Sequence, residues 1–531
     1  MPGLLLSNAR VLTLEPGDPR AEAVLVQGER IVWVGRAREA PLRAGPDVRR
    51  IDLAGRCLIP GFNDNHLHAI SLGDALTRVD LSGLDCRRIV EHLRERYAEA
   101  RPGELLTGYS WDYPHCPNPH RRLLDAAFPR NPVVLFQFSG HAAWVNSLML
   151  RRLGITRFSP DPDGGQIERD ADGEPTGILR DNAVIALHAL RMRRHMLSPS
   201  LRRRLLRGAL ERLARAGITS VQDNTWTPTT VWTLNELRRR GELTCRFSCW
   251  TYGSRPWLAR SMSLARYDRA WVRRGPWKYF LDGTFSTRTA WLLEPYRGEP
   301  QNYGRSTMPA EKLAAVLSRS ASLGRQAVFH AIGDRAIRGL IDAVEAAGAR
   351  HPGLERLRLR IEHAQLIDAA DIPRLARLGI LVAAQPTALG QPEKDEALLG
   401  PERARRAYPY RSLLDAGVGL SFGSDVPGER RYEPLIAIHW AVNRPSPERI
   451  TAREALECYT LGSAYAEFQE QEKGTIRAGK LADLAVLSAD PTEVKPERIQ
   501  DIEVEMTIVG GSVVYERKPV PTAKEARSAQ G

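Results

Sequence analysis

The sequence predicts an α/β fold: one (β/α)8 TIM-like barrel with a large insertion after its first strand, plus a small β-sandwich-like domain built from both chain ends. Three observations carry this. Short apolar runs alternate with helical segments rich in Leu, Ala and Arg through the middle of the chain. Strand-and-turn segments bracket that middle on both sides. Side chains able to bind metal recur where apolar runs end.

The N-terminal segment supplies the first strands. Residues 4–6, 9–14, 23–26 and 30–34 alternate or run apolar, and Gly28-Glu29 breaks them. The C-terminal segment has the same character over 484–487 and 504–509. Gly510-Gly511 then separates the latter from the apolar run 512–515, which predicts a hairpin. Residues 1–58 and 470–520 are therefore read as one discontinuous β domain, and 521–531 as a disordered tail.

The middle, 59–469, is read as the barrel. Its apolar runs are 57–62, 133–138, 218–221, 243–250, 277–281, 326–329, 357–361, 380–384 and 418–422. Predicted helices lie between them at 200–216, 310–323, 334–347, 368–378 and 403–416. Nine runs exceed the eight strands of a barrel. Residues 75–200, rich in Pro, Gly, Trp and turn dipeptides, are assigned to an insertion or lid that carries the run 133–138.

Composition narrows the function. The chain has 531 residues, with 43% hydrophobic and 26% charged, ordinary values for a globular protein. Its net charge of +13 raises the possibility of an acidic partner. The arginines, however, are scattered along helices, as in LRRRLLRGALER at 201–212, and read as solvated faces, so nucleic-acid binding is set aside. No run is long enough to span a bilayer. Residues 1–14 have no secretory signature, and the six cysteines form no CxxC pair. A cytoplasmic, reducing location is expected, without membrane association.

The chemistry begins at His66 and His68. At positions i and i+2 of a strand, both point to one face, and at the end of the first barrel strand that face is the barrel mouth. His330, His363 and Asp425 each end a later run. Together these five can bind one or two divalent cations, with zinc the first expectation. Lys278 is the first lysine in a chain whose basic residues are nearly all arginine, and it sits in the apolar run WKYFL. A buried ammonium tends to lose its proton, and the neutral amine can take up carbon dioxide to become a metal-bridging carboxylate. The alternative is an ion pair with Asp282 or another nearby carboxylate.

The combination resembles the amidohydrolase superfamily, in particular its family 3, which includes N-substituted formamide deformylases. The carriers are PGFNDNHLH at 60–68, Ser139-Gly140-His141 with WVNS at 144–147, PTGILRDNA at 175–183, KYFLDGTFSTRTA at 278–290, HAIGDRA at 330–336, IEHA at 361–364, GSDVP at 423–427 and GTIRAGKLADLAVL at 474–487. The resemblance implies that His66, His68 and Asp425 hold a first metal, that His330 and His363 hold a second, and that carboxylated Lys278 bridges them. A single metal is the alternative. It also implies hydrolysis of a non-peptide C–N bond (amide, formamide or cyclic amide) in a small molecule by hydroxide generated at the metal, with Asp425 moving the proton. Hydrolytic deamination on the same scaffold and a catalytically inactive barrel are the competing readings. A homodimer is compatible with such barrels. Asp181 departs from the family pattern, which has glutamate there. For substrate contacts the sequence offers Trp111, His141 and Trp144 from the insertion and Arg288 and Tyr296 from the barrel; the alternatives are that the two tryptophans pack the insertion against the barrel and that Arg288 is structural.

Overall fold

The computed structural model describes residues 3–17, 21–225, 227–429 and 431–518. The expected tail at 521–531 lies outside them. The barrel strands are β1 (Phe62–Leu67), β2 (Ile218–Asp223), β3 (Arg246–Tyr252), β4 (Val272–Phe280), β5 (Ala327–Ala331), β6 (Arg360–His363), β7 (Leu381–Ala384) and β8 (Leu420–Phe422). They form one parallel sheet in chain order. Nearly every strand residue is buried, as expected for a sheet with side chains inside and helices outside.

The seam between β8 and β1 is held at the top. The Asn65 amide donates to Ser421 Oγ at 2.7 Å, and the Asp425 and His68 N–H groups donate to the His66 and Val426 carbonyls. Gly423 permits this approach, because a Cβ there would meet the His66 amide nitrogen at 2.6 Å.

The helix Pro199–Arg215 shows how the outer layer is specified. Ser198 caps it by accepting from the Leu201 N–H, and Pro199 opens the first turn. Leu205, Leu206, Ala209, Leu210 and Leu213 recur at helical spacing and bury one face in the main core, leaving most of the arginines outward.

The chain ends form two sheets. One joins Arg30–Gly35, Ala23–Gln27, Leu4–Ser7 and Arg49–Asp52. The other joins Arg10–Val11, Cys57–Pro60, Leu484–Leu487, Val504–Val509 and Ser512–Glu516. The predicted run 57–62 is thus two elements. Cys57–Pro60 pairs antiparallel with Leu484–Leu487, and the first barrel strand starts at Phe62. Gly61 makes the handover: its N–H bonds the Asp483 carbonyl, while the next N–H bonds Gly217. The predicted helix 403–416 is likewise two, Pro401–Arg406 and Tyr410–Asp415, with Pro409 between them.

The segment after β1 builds a six-stranded sheet of its own, ordered Gly165–Arg169, Pro175–Asp181, Ala142–Val145, Val133–Gln137, Leu106–Trp111, Val79–Asp80. Cys86 and Cys116 are disulfide-bonded within this segment, which departs from the expectation of fully reduced cysteines. Among the described residues, no helix is long and apolar enough to cross a membrane.

Candidate metal centre

The barrel mouth opens into a cavity of about 1710 Å³, and His66, His68, Lys278, His330, His363 and Asp425 all line it. One ligand atom each from His66, His363 and Asp425 lies within 4.8 Å of the others. Asp425 Oδ1 is 3.2 Å from His68 Nε2 and 3.5 Å from His66 Nε2. Asp425 Oδ2 is 3.9 Å from His363 Nδ1. The rings of His330 and His363 meet edge-on at 4.4 Å. Asp425 therefore collects His66, His68 and His363, with His330 behind His363.

Three of the four imidazoles are oriented by a partner at one nitrogen. His66 Nδ1 is 2.7 Å from Glu362 Oε2, His363 Nδ1 is 2.7 Å from Gln385 Oε1, and His330 Nε2 is 3.0 Å from the Gly283 carbonyl. Donation of the N–H to these oxygens leaves the opposite ring nitrogen with its lone pair. Burial, helped by the nearby Lys278 charge, pushes all three rings below the usual imidazole range. Asp425 is held well below the usual carboxylate range. Burial alone would raise it, but His66, His68 and His363 outweigh that. Asp425 and His363 both sit at positive φ (53° and 74°), a conformation costing on the order of 1–3 kcal/mol each that recurs at functional sites.

Lys278 is 1% exposed, and among the described residues its Nζ has no hydrogen-bond partner. Burial pushes its ammonium down to about 8. The alternative ion pair with Asp282 is not formed: Asp282 accepts from the N–H groups of Trp291, Ile332 and Gly333. Four imidazoles, a carboxylate held low and a buried amine without a hydrogen-bond partner make a donor set that suits a divalent cation.

The expected substrate contacts divide. His141 lines the cavity, its Nδ1 3.1 Å from Asp181 Oδ1 and its ring 5.7 Å from that of His330. Asp181, whose role the sequence left open, thus orients His141 and is itself held by Arg305 at 3.2 Å. Arg288 stands at the rim, paired with Glu299. Trp111 and Trp144 do not overhang the mouth. They are fully buried inside the insertion and pack edge-on at 6.3 Å. A β-bulge at Ser110 (φ 73°) sends Trp111 to the face opposite Tyr109. Tyr296 is likewise buried outside the cavity lining, its hydroxyl donating to the Ala290 carbonyl at 3.0 Å.

Residues without an assigned role in the sequence complete the site. Arg360, fully buried, donates to Glu362, Gln222 and the Asn65 carbonyl, and its guanidinium lies 4.7 Å from the Trp250 ring centroid. Arg360 and His66 hold Glu362 at about 2 against the burial that would raise it. The signal available was polar alternation, RIEH, in an otherwise apolar stretch.

The model of the amidohydrolase family matches residues 49–515. The chain is 31% identical to the N-substituted formamide deformylase of Arthrobacter pascens, over 97% of this chain and 99% of that protein. It is 32% identical to YtcJ of Bacillus subtilis (strain 168), over 95% and 97%. Among solved structures, an uncharacterized metal-dependent hydrolase from Pyrococcus furiosus superposes with a TM-score of 0.73 at 29% identity, covering 92% of this chain and 100% of that one.

Proposed function

The chain belongs to the amidohydrolase family and is a hydrolase of C–N bonds; from that premise we propose that it cleaves a non-peptide amide-type bond of a small molecule at the centre around Asp425. The observation that carries this reading is the cluster itself: an ionised carboxylate within 4 Å of three imidazoles, beside a buried, unpaired lysine amine.

His66, His68, His363, His330 and Asp425 are the residues that would hold one or two divalent cations, with zinc favoured by the imidazole-rich set. Bound there, a cation supplies Lewis acidity to a carbonyl oxygen and to water. Lys278, with its ammonium pushed down by burial, is suited to carboxylation. Its Nζ lone pair would attack carbon dioxide, one N–H proton would leave to solvent, and the resulting carbamate would supply carboxylate oxygens to a cation held there.

The remaining steps fall to the protein's own groups. Glu362 fixes His66, Gln385 fixes His363 and the Gly283 carbonyl fixes His330, so these donors are preorganised. Asp425, ionised and beside His68, takes the proton of the attacking water and delivers it to the leaving nitrogen as the C–N bond breaks. His141, oriented by Asp181, faces the cavity from the insertion and is placed to contact the substrate.

The test is a screen of N-acyl amines, N-formyl amines and cyclic amides with zinc-loaded protein, following release of the amine or ring opening, with Asp425→Ala as control. Turnover by the parent and a loss of about 10³-fold or more in a folded D425A protein are expected. Near-normal turnover by D425A would overturn the assignment.

A further inference from the structure

Asn224 directly follows β2 and is 1% exposed. Its place is set by register. Asp223 lies opposite Leu67, and the Asn224 N–H donates to the Leu67 carbonyl at 2.9 Å, so Asn224 stands level with His68. Strand alternation does the rest. Asp223 turns away from the mouth, where its carboxylate accepts from the Ala69 N–H at 2.6 Å and from the Thr225 hydroxyl. Asn224 turns toward the mouth on the side of His68 and lines the cavity with His66, His68, Ser71 and Tyr252.

Among the described residues, neither Nδ2 nor Oδ1 of Asn224 has a hydrogen-bond partner. Other buried asparagines differ. The Asn65 amide donates to Ser421, that of Asn63 to Glu467, and Asn146 bonds through both its oxygen and its nitrogen. A buried amide with both ends unpaired costs stability that a leucine of similar size would not. Its place in the wall of the ligand cavity gives those ends a partner when a ligand is bound against it.

We propose that Asn224 is a specificity-determining residue that pairs with an amide edge of the substrate. Its Nδ2–H donates to a substrate carbonyl oxygen while Oδ1 accepts from the N–H adjacent to that carbonyl. Donor and acceptor lie side by side in one plane on a carboxamide. The complementary ligand therefore carries C=O and N–H syn, as in a cyclic amide, imide or ureide. Because both ends are unpaired, the pairing holds for either orientation of the Asn224 amide. The inference rests on reading this cavity as the site of C–N hydrolysis, and it narrows the substrate class for that site.

The test is binding, so that it is independent of turnover. Succinimide and N-methylsuccinimide are titrated by ligand-observed NMR into zinc-loaded parent, Asn224→Leu and Asn224→Asp. The parent is expected to bind succinimide about tenfold or more tightly than its N-methyl analogue, because methylation leaves Oδ1 unpaired. N224L is expected to bind the two within about twofold, with a thermal midpoint at or above that of the parent and the parent's zinc content. N224D keeps the shape and the acceptor and loses only the Nδ2 donor; it serves if N224L does not fold, and is expected to keep the preference while binding succinimide about tenfold more weakly than the parent. Equal binding by the parent, a preference retained in folded N224L, or succinimide bound by N224D as tightly as by the parent overturns the inference. Discrimination without turnover of any amide would instead overturn the proposed reaction.

Discussion

His66 Nδ1 stands 2.7 Å from Glu362 Oε2, joining two strands separated by 296 residues, with both side chains buried. Through Arg360 the contact extends to Gln222 and to the backbone of Asn65, so one satisfied network sets the aim of the first-strand histidine.

Glu362→Gln keeps the shape and removes the charge that fixes His66. Zinc affinity is expected to fall about 10–100-fold, read by competition with a chelator. Arg360→Met leaves Glu362 buried without its cation and is expected to cost about 3–5 kcal/mol in denaturant unfolding. An unchanged zinc affinity in E362Q would mean that the network is structural only.

Lys278→Met replaces a buried amine that has no hydrogen-bond partner among the described residues by an apolar chain of similar length. Stability is expected to hold or rise, since an unpaired buried ammonium is unfavourable. Turnover is expected to fall by about 100-fold or more, the scale of losing a group that holds a Lewis-acid centre. Measuring melting and activity on the same preparation separates this outcome from simple misfolding.

What the sequence made legible follows from chemistry that is local. HLH at 66–68, His330, His363 and Asp425 are each ligand-type residues at the end of an apolar run, and parallel strands bring such ends to one rim. Glu362 and Arg360 were not legible as a pair, because their partners His66, Asn65 and Gln222 come from β1 and β2. Between the two readings of Trp111 the sequence could not choose, because strict alternation would put it with Tyr109 and the bulge at Ser110 breaks that alternation. The boundary inside 57–62 was hidden because one glycine separates two consecutive strands of different sheets. The turns of the C-terminal hairpin and the helix 199–215, by contrast, are written in adjacent residues and were read directly.

Asp395, half-buried near the cavity rim and bonded to the Tyr408 hydroxyl at 2.9 Å, has its carboxyl pushed up by burial to about 6. A raised carboxyl pKa means that the folded state holds its proton more tightly than the unfolded chain. The associated stability is therefore complete below about pH 4 and is lost as pH rises through about 6. Asp395→Asn is expected to remove this slope and to be about 1–2 kcal/mol more stable than the parent at pH 7, allowing for partial solvent access. Denaturant unfolding of both proteins from pH 4 to 7 checks it. A constant difference across that range would contradict the assignment.

The disulfide joins Cys86 to Cys116 across a separation of 30 residues. Closing a loop of that size stabilises by about 2–4 kcal/mol in the chain-entropy account. Reduction, or Cys86→Ser with Cys116→Ser, is expected to raise amide exchange over 79–181 while leaving the barrel strands protected. Uniform loss of protection across the whole chain would show instead that the insertion and the barrel unfold together.

The central claim is that His66, His363 and Asp425 form the core of a metal site. Zinc content after equilibrium dialysis, compared between the parent and His363→Ala/Asp425→Asn, tests it most directly. At least one tightly held zinc in the parent, lost from a variant that remains folded, is predicted. Equal zinc in the two proteins, or none in the parent, would contradict it.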